Sequence, residues 1–209
     1  MRKNNIKIGV IDYGVCNINS IINMLNYLNF EPLIIREPKD LDYSNKIILP
    51  GVGSFDTGVN ALKKLNLFDQ IIDAVQKDKK PILGICLGMQ LLGTKSEEGK
   101  LLGLNLIPGE LIKLKIPRSF KLKIPHMGWN YIKIKTKNKI CSYLPNEPRF
   151  YFTHSYHFKK IKREYVIATA EHGIEINALI AKDNIYGTQF HPEKSHKFGM
   201  KLLENFSKI

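Results

Sequence analysis

The chain has 209 residues, 44% of them hydrophobic, and 32 Lys+Arg against 19 Asp+Glu give a formal net charge of +13. That length suits a single domain spanning 1–209, large enough to bury its own core without disulfides or a structural metal. Three cysteines (Cys16, Cys86, Cys141) are too scattered for a disulfide framework or a C-x-x-C zinc site, which suits a reducing compartment. No apolar run of twenty residues is present, and the one after the basic start is too short for a secretory leader. A cytoplasmic protein without membrane contact is therefore expected.

In chain order, IKIGVID (6–12) reads as a buried strand and INSIINMLNYLNF (18–30) as an amphipathic helix behind a capping candidate, Asn17. PLIIR (32–36) and KIILP (46–50) are further short apolar strands. SFDTGVNALKKLNLFDQIIDAVQKDKK carries helical periodicity with a break near Asn66, and PILGIC (81–86) is another buried strand. This alternation of strand and helix is the pattern of a parallel sheet covered by helices. From about residue 104 the texture changes. LNLIPGELIKLKI, WNYIKIK, RFYFTHSYHF, YVIATAE, INALIAK and IYGTQF read as strands, some antiparallel, before a closing helix HKFGMKLLENF. The basic stretches KLKIPRSFKLKIP and YIKIKTKNK alternate lysine with apolar residues, the period of strands with one wet face. No recognition helix accompanies them, so no nucleic-acid partner is expected. The expected fold is one mixed α/β domain.

In an open parallel sheet, ligands bind beyond the carboxyl ends of the strands. Cys86 sits there, framed by Gly84 and Gly88 as G-x-C-x-G, the cysteine counterpart of the G-x-S-x-G nucleophile elbow. Glycines allow the close backbone approach of such a turn, and a helix over 87–92 would aim its first N–H groups at a thiolate or oxyanion. The alternative is an ordinary buried thiol beside a plain turn. A thiolate also needs a base, and the base an orienting carboxylate. GTQFHPEKS supplies His191 and Glu193, two apart on an extended chain, although an exposed loop pair reads the same in isolation. ILPGVGSF (48–55) ends a strand in glycines without either nucleotide-binding fingerprint, leaving a backbone N–H donor for an oxyanion as its use.

Together PGVGSF, GICLGMQ and QFHPEKS resemble the class I glutamine amidotransferases, and IDYGVCNINSI, IPHMGWN and YFTHSYHF resemble the glutaminase subunit of imidazole glycerol phosphate synthase. The resemblance runs from Ile11 to Ser195 and implies a flavodoxin-like α/β fold with a mainly parallel central sheet and no cofactor. It implies that Cys86 attacks the glutamine side-chain amide, that His191 moves the protons, and that Glu193 orients His191. Leu87, with Gly51, Val52 or Gly53, would supply the oxyanion N–H groups. Gln90, Ser155 and Tyr156 match positions that hold the amino-acid end of glutamine. The implied partner is a (β/α)₈-barrel synthase subunit that uses the ammonia to make imidazole glycerol phosphate and an aminoimidazole carboxamide ribotide. Asn17, His126, Gly128 and Trp129 fall in segments that would face that partner or communicate with it, and in this family the partner activates the glutaminase by rearranging the oxyanion loop.

One departure stands out. The D-Y-G-x-G-N signature reads Asp12-Tyr13-Gly14-Val15-Cys16-Asn17 here, so a side chain replaces a glycine. Altered partner-facing geometry would follow, or service in a paralogous system that feeds ammonia to amidination of surface sugars. A stand-alone cysteine hydrolase on the same architecture is a further alternative. His154 and His157, three apart, would face opposite sides of one strand, so no metal site is expected from them. His154 reads as a structural or gating residue near the site, and Cys16 and Cys141 as non-catalytic.

Overall fold

The computed structural model describes residues 6–209. The apolar runs of the first half form β1 (Lys7–Ile11), β2 (Glu31–Ile35), β3 (Lys46–Leu49) and β4 (Ile82–Ile85). Between them lie α1 (Asn19–Tyr27), α2 (Phe55–Lys64) and α3 (Phe68–Gln76). The cap of α1 is Ile18, without a side-chain cap bond, rather than the expected Asn17 one residue upstream, whose side-chain oxygen instead accepts the Asn19 N–H at 3.0 Å. The break between α2 and α3 falls at Asn66, whose φ of +56° is a left-handed conformation that Asn tolerates better than most residues.

Beyond β4 come α4 (Leu87–Leu91), β5 (Lys95–Ser96), β6 (Gly109–Lys113), β7 (His126–Ile134), β8 (Arg149–His154) and β9 (Tyr156–Ile161). Then follow β10 (Val166–Glu171), β11 (Glu175–Lys182), β12 (Ile185–Thr188), β13 (Phe190–His191) and α5 (His196–Lys208). Among the described residues, ten strands form one sheet in the order β13-β8-β7-β10-β11-β12-β4-β3-β1-β2, and β5-β6-β9 form a small second sheet. From β2 through β12 the pairing is parallel, with β1 between β2 and β3 and β4 between β3 and β12. From β12 outward to β13 every pairing is antiparallel.

Successive residues of the parallel strands point to opposite faces, and each face buries its own core. Val10, Ile48 and Leu83 pack with Leu25 of α1 and Leu202 of α5. Ile47, Leu49 and Ile82 pack instead with Leu62 of α2 and Ile71 of α3. With both faces covered, β4 is buried at all four positions and reads as an unbroken apolar run.

Three expectations change. RFYFTHSYHF is two strands, parted at Ser155, so that β8 joins the large sheet and β9 the small one. His154 and His157 therefore lie in different sheets rather than on opposite faces of one strand. IYGTQF likewise parts at Gln189 into β12 and β13. In KLKIPRSFKLKIP only Lys113 is stranded. Residues 114–125 form a strap with one short turn at Arg118–Phe120, and it passes Ile116, Phe120 and Leu122 beside Gly173 in the β10–β11 turn. Pro117 and Pro125 lack the N–H that a ladder needs, which defeats the strand-like alternation.

Candidate active site

The parallel strands end along one edge, and the continuations of β1, β3, β4 and β12 bring Tyr13, Pro50, Cys86 and Gln189 together there. Cys86 occupies the sharp turn between β4 and α4 with φ +54° and ψ −106°, a strained backbone for a non-glycine residue. The strain is held by packing. A Cβ on Gly84 would stand 2.6 Å from the Gly88 carbonyl, and one on Gly88 would overlap the carbonyl of Leu49. The Cys86 N–H donates to the Thr188 carbonyl at 2.7 Å, tying the elbow to β12. The G-x-C-x-G pattern thus places a nucleophile where strand and helix press together too closely for any side chain at either glycine.

His191 and Glu193 meet as the spacing implies. Nδ1 of His191 donates to Oε1 of Glu193 at 2.7 Å, and both side chains are at least nine-tenths buried. The turn is braced by Ser195, whose hydroxyl donates to the His191 carbonyl at 2.6 Å and accepts the Tyr151 N–H at 3.0 Å. Burial alone would lower the pKa of His191, but hydrogen bonding and charge from Cys86 and Glu193 reverse that and raise it to about 10. Nε2 of His191 is buried without a hydrogen bond of ordinary geometry, so its interaction with Cys86 is the long, loosely aligned kind found in unliganded sites. By contrast, burial pushes the thiols of Cys16 and Cys141 up to about 12, so both stay protonated.

A cavity of about 280 Å³ opens on Cys86, walled by Leu87, Gln90, Glu98, Thr153, Ser155 and Tyr156. A larger one of about 540 Å³ lies along β7, β10 and β11 but touches neither Cys86 nor His191, so the chemistry belongs to the smaller. Both amide hydrogens of Gln90 are committed, to the Tyr156 carbonyl at 3.1 Å and to Oε1 of Gln189 at 3.3 Å. Its carbonyl oxygen is the end left to meet a ligand.

Two of the backbone N–H groups expected at an oxyanion hole are engaged elsewhere in this conformation. The Leu87 N–H, one expected donor, is occupied by the Gly51 carbonyl at 3.3 Å. The Val52 N–H, one of the three alternatives for the second donor, donates to the Val15 carbonyl at 3.3 Å. Gly51 carbonyl and Val52 N–H belong to one peptide unit, so a single misdirected amide both blocks one donor and withholds the other. Tyr13 anchors the same strand through its hydroxyl, which donates to the Pro50 carbonyl at 2.6 Å. Two residues beyond Gly51, Gly53 has a φ of +110°, a conformation that favours glycine.

A family model for class-I glutamine amidotransferases matches residues 9–209. The chain belongs to that family. Imidazole glycerol phosphate synthase subunit HisH 2 of Methanococcus maripaludis is 50% identical over 201 residues, 96% of this chain and 98% of that protein. Subunit HisH of Leptospira borgpetersenii is 43% identical, covering 97% of this chain and 100% of that one. HisH 2 of Pseudomonas aeruginosa is 41% identical, covering 96% and 98%. Among solved structures, PurLQS from Thermotoga maritima superposes with TM-score 0.73 at 20% identity, covering 98% of this chain and 99% of that one. A glutamine amidotransferase from Thermotoga maritima gives 0.68 at 19%, covering 98% and 84%. These two structures share the fold.

Within this amidotransferase, the residues expected to face a partner divide. Trp129 is 44% exposed and stacks on His196, with the Arg149 guanidinium over its ring. Asn17 is exposed, and Gly128 is partly exposed at φ +122°. His126 is corrected: strand alternation turns it inward, where it is 3% exposed. Cys16 is corrected as well, because the left-handed residue of its loop is Gly14, at φ +81°, while Cys16 keeps an ordinary negative φ. Glu98 is a wall residue that the sequence does not announce. Its Oε2 accepts the Phe55 N–H at the start of α2 at 2.8 Å, fixing a carboxylate at the cavity.

Proposed function

We propose that this chain is the glutaminase subunit of an imidazole glycerol phosphate synthase. Glutamine enters the cavity with its α-ammonium between the Glu98 carboxylate and the Gln90 carbonyl oxygen, and its α-carboxylate against Ser155 and Tyr156. The Cys86 thiolate attacks the side-chain amide carbon, and His191 gives its Nε2 proton to the departing ammonia, leaving a thioester. His191 then takes a proton from water, which attacks the thioester and releases glutamate while the thiol is restored. Glu193 holds the imidazole in the tautomer that both steps need. Leu87 and Val52 stabilise the oxyanion once the Gly51–Val52 amide turns over, an event assigned to docking of a (β/α)₈ synthase partner that receives the ammonia in the cytoplasm.

The observation that carries this reading is the strained Cys86 elbow opposite the buried His191–Glu193 pair. Cys86→Ala is expected to reduce glutamine-dependent synthesis in the complex by roughly 10⁴-fold, while synthesis from free ammonium continues. Loss of both in a folded complex would sink the division of labour. The alternative raised by Cys16 at the second glycine position of D-Y-G-x-G-N is a glutaminase that supplies an amidination of surface sugars. Complementation separates them, since a protein serving histidine synthesis rescues a histidine auxotroph when supplied with its cognate barrel.

A further inference from the structure

The buried His126 has a role that its exposed neighbours on β7 do not. It pairs across the ladder with His154 of β8, and its Nδ1 lies 3.0 Å from Nε2 of that residue. Nε2 of His126 meets the side-chain amide nitrogen of Asn130 at 3.1 Å, and Nδ1 of His154 meets the Tyr156 carbonyl at 2.9 Å. The protons along this row are determined. The Asn130 amide is oriented at both ends, its nitrogen donating to the Glu171 carbonyl at 2.7 Å and its oxygen accepting the Tyr131 N–H at 2.8 Å. That nitrogen can only donate, so Nε2 of His126 accepts and its proton sits on Nδ1. Nε2 of His154 must then accept, which places the second proton on Nδ1, aimed at the Tyr156 carbonyl. Burial keeps both rings uncharged, with pKa values lowered to about 4 for His126 and about 3 for His154. The outer end is covered by His172, stacked 4.2 Å from His126 and donating through Nε2 to the Lys123 carbonyl of the strap.

The Tyr156 carbonyl is where the row meets the cavity, because the same oxygen accepts the Gln90 amide. Ser155 stands at the break between two sheets, and Tyr156 opens β9 at the very end of its ladder, paired with Lys113 of β6. We infer that His126 and His154 are positioning residues for glutamine: their ordered hydrogen bonds fix the Tyr156 carbonyl, and through it the Gln90 side chain and the wall that receives the amino-acid end. The inference rests on the glutaminase reading above.

Amide side chains test it by atom. Asn at position 154 places a donor near the position of Nδ1 and preserves the bond to Tyr156, whereas Gln places its amide near Nε2 and loses that bond. Calorimetric titration of L-glutamine into the full chain carrying Cys86→Ala, which removes turnover, gives the reference Kd. Adding His154→Asn is expected to leave Kd within about threefold, and His154→Gln to weaken it roughly tenfold, with melting temperatures reported beside both. His126→Leu, which breaks the row one step further out, is expected to weaken binding like His154→Gln and provides a readout if a variant at 154 does not fold. Equal binding by the Asn and Gln variants would overturn the inference alone. Absence of glutamine binding by Cys86→Ala itself would overturn the glutaminase reading and the inference with it.

Discussion

The two sides of the catalytic cavity are built on different principles. On the side of the nucleophile, geometry is enforced by lack of space: Gly84 and Gly88 are pressed against backbone, and His191 is clamped by Glu193 and Ser195. On the oxyanion side, three hydrogen bonds hold Pro50, Gly51 and Val52, and two of them belong to one amide. Packed cores resist continuous deformation, whereas the Gly51–Val52 peptide unit is held only by one donor, the Leu87 N–H, and one acceptor, the Val15 carbonyl. On the proposed mechanism, the contrast leaves the attacking group ready and gives control to the oxyanion donors.

The largest effect should come from the assembled side. Glu193→Gln leaves His191 its packing but removes its carboxylate, and glutaminase activity should fall by roughly 10²–10⁴-fold. The pH dependence is fixed in sign. Because folding raises the pKa of His191, its protonated form stabilises the fold fully below the ordinary value near 6.5, and that contribution is lost as pH rises to about 10. The melting deficit of Glu193→Gln should therefore be greater near pH 6 than near pH 10, and a deficit independent of pH would count against the assigned charge.

Gly88→Ala attacks the steric basis of the elbow. The added methyl must displace the Leu49 backbone, at a cost of roughly 1–3 kcal/mol, read as a fall in Tm of roughly 3–10 °C at this chain length. A smaller effect is expected on the other side. Tyr13→Phe deletes the bond to the Pro50 carbonyl, and loss of about 1 kcal/mol of restraint should raise partner-free glutaminase turnover roughly fivefold. Unchanged turnover would mean that the Gly51–Val52 amide holds its orientation unaided.

The elbow and its base are legible in sequence because their determinants are local: two glycines around a cysteine, and a histidine two residues from a glutamate. Glu98 is not, since what makes it a cavity wall is a bond to the Phe55 N–H forty-three positions away. The direction of the Gly51–Val52 amide is equally silent, because P-G-V-G is compatible with either orientation. The parallel half of the sheet follows from its apolar runs. The strap at 114–125 does not, since its lysine–apolar alternation imitates a strand and only the prolines argue otherwise. The inward turn of His126 is recoverable in principle, because exposed Met127 and Trp129 flank an alternation whose buried members are His126 and Ile132.

That single amide also sets how much glutamine is lost when no acceptor is waiting. Reorienting it would break two hydrogen bonds together, about 2 kcal/mol at about 1 kcal/mol each, so on the proposed mechanism the competent orientation is the minor one in the unpartnered protein. On that mechanism, nitrogen leakage would be a property of one peptide plane.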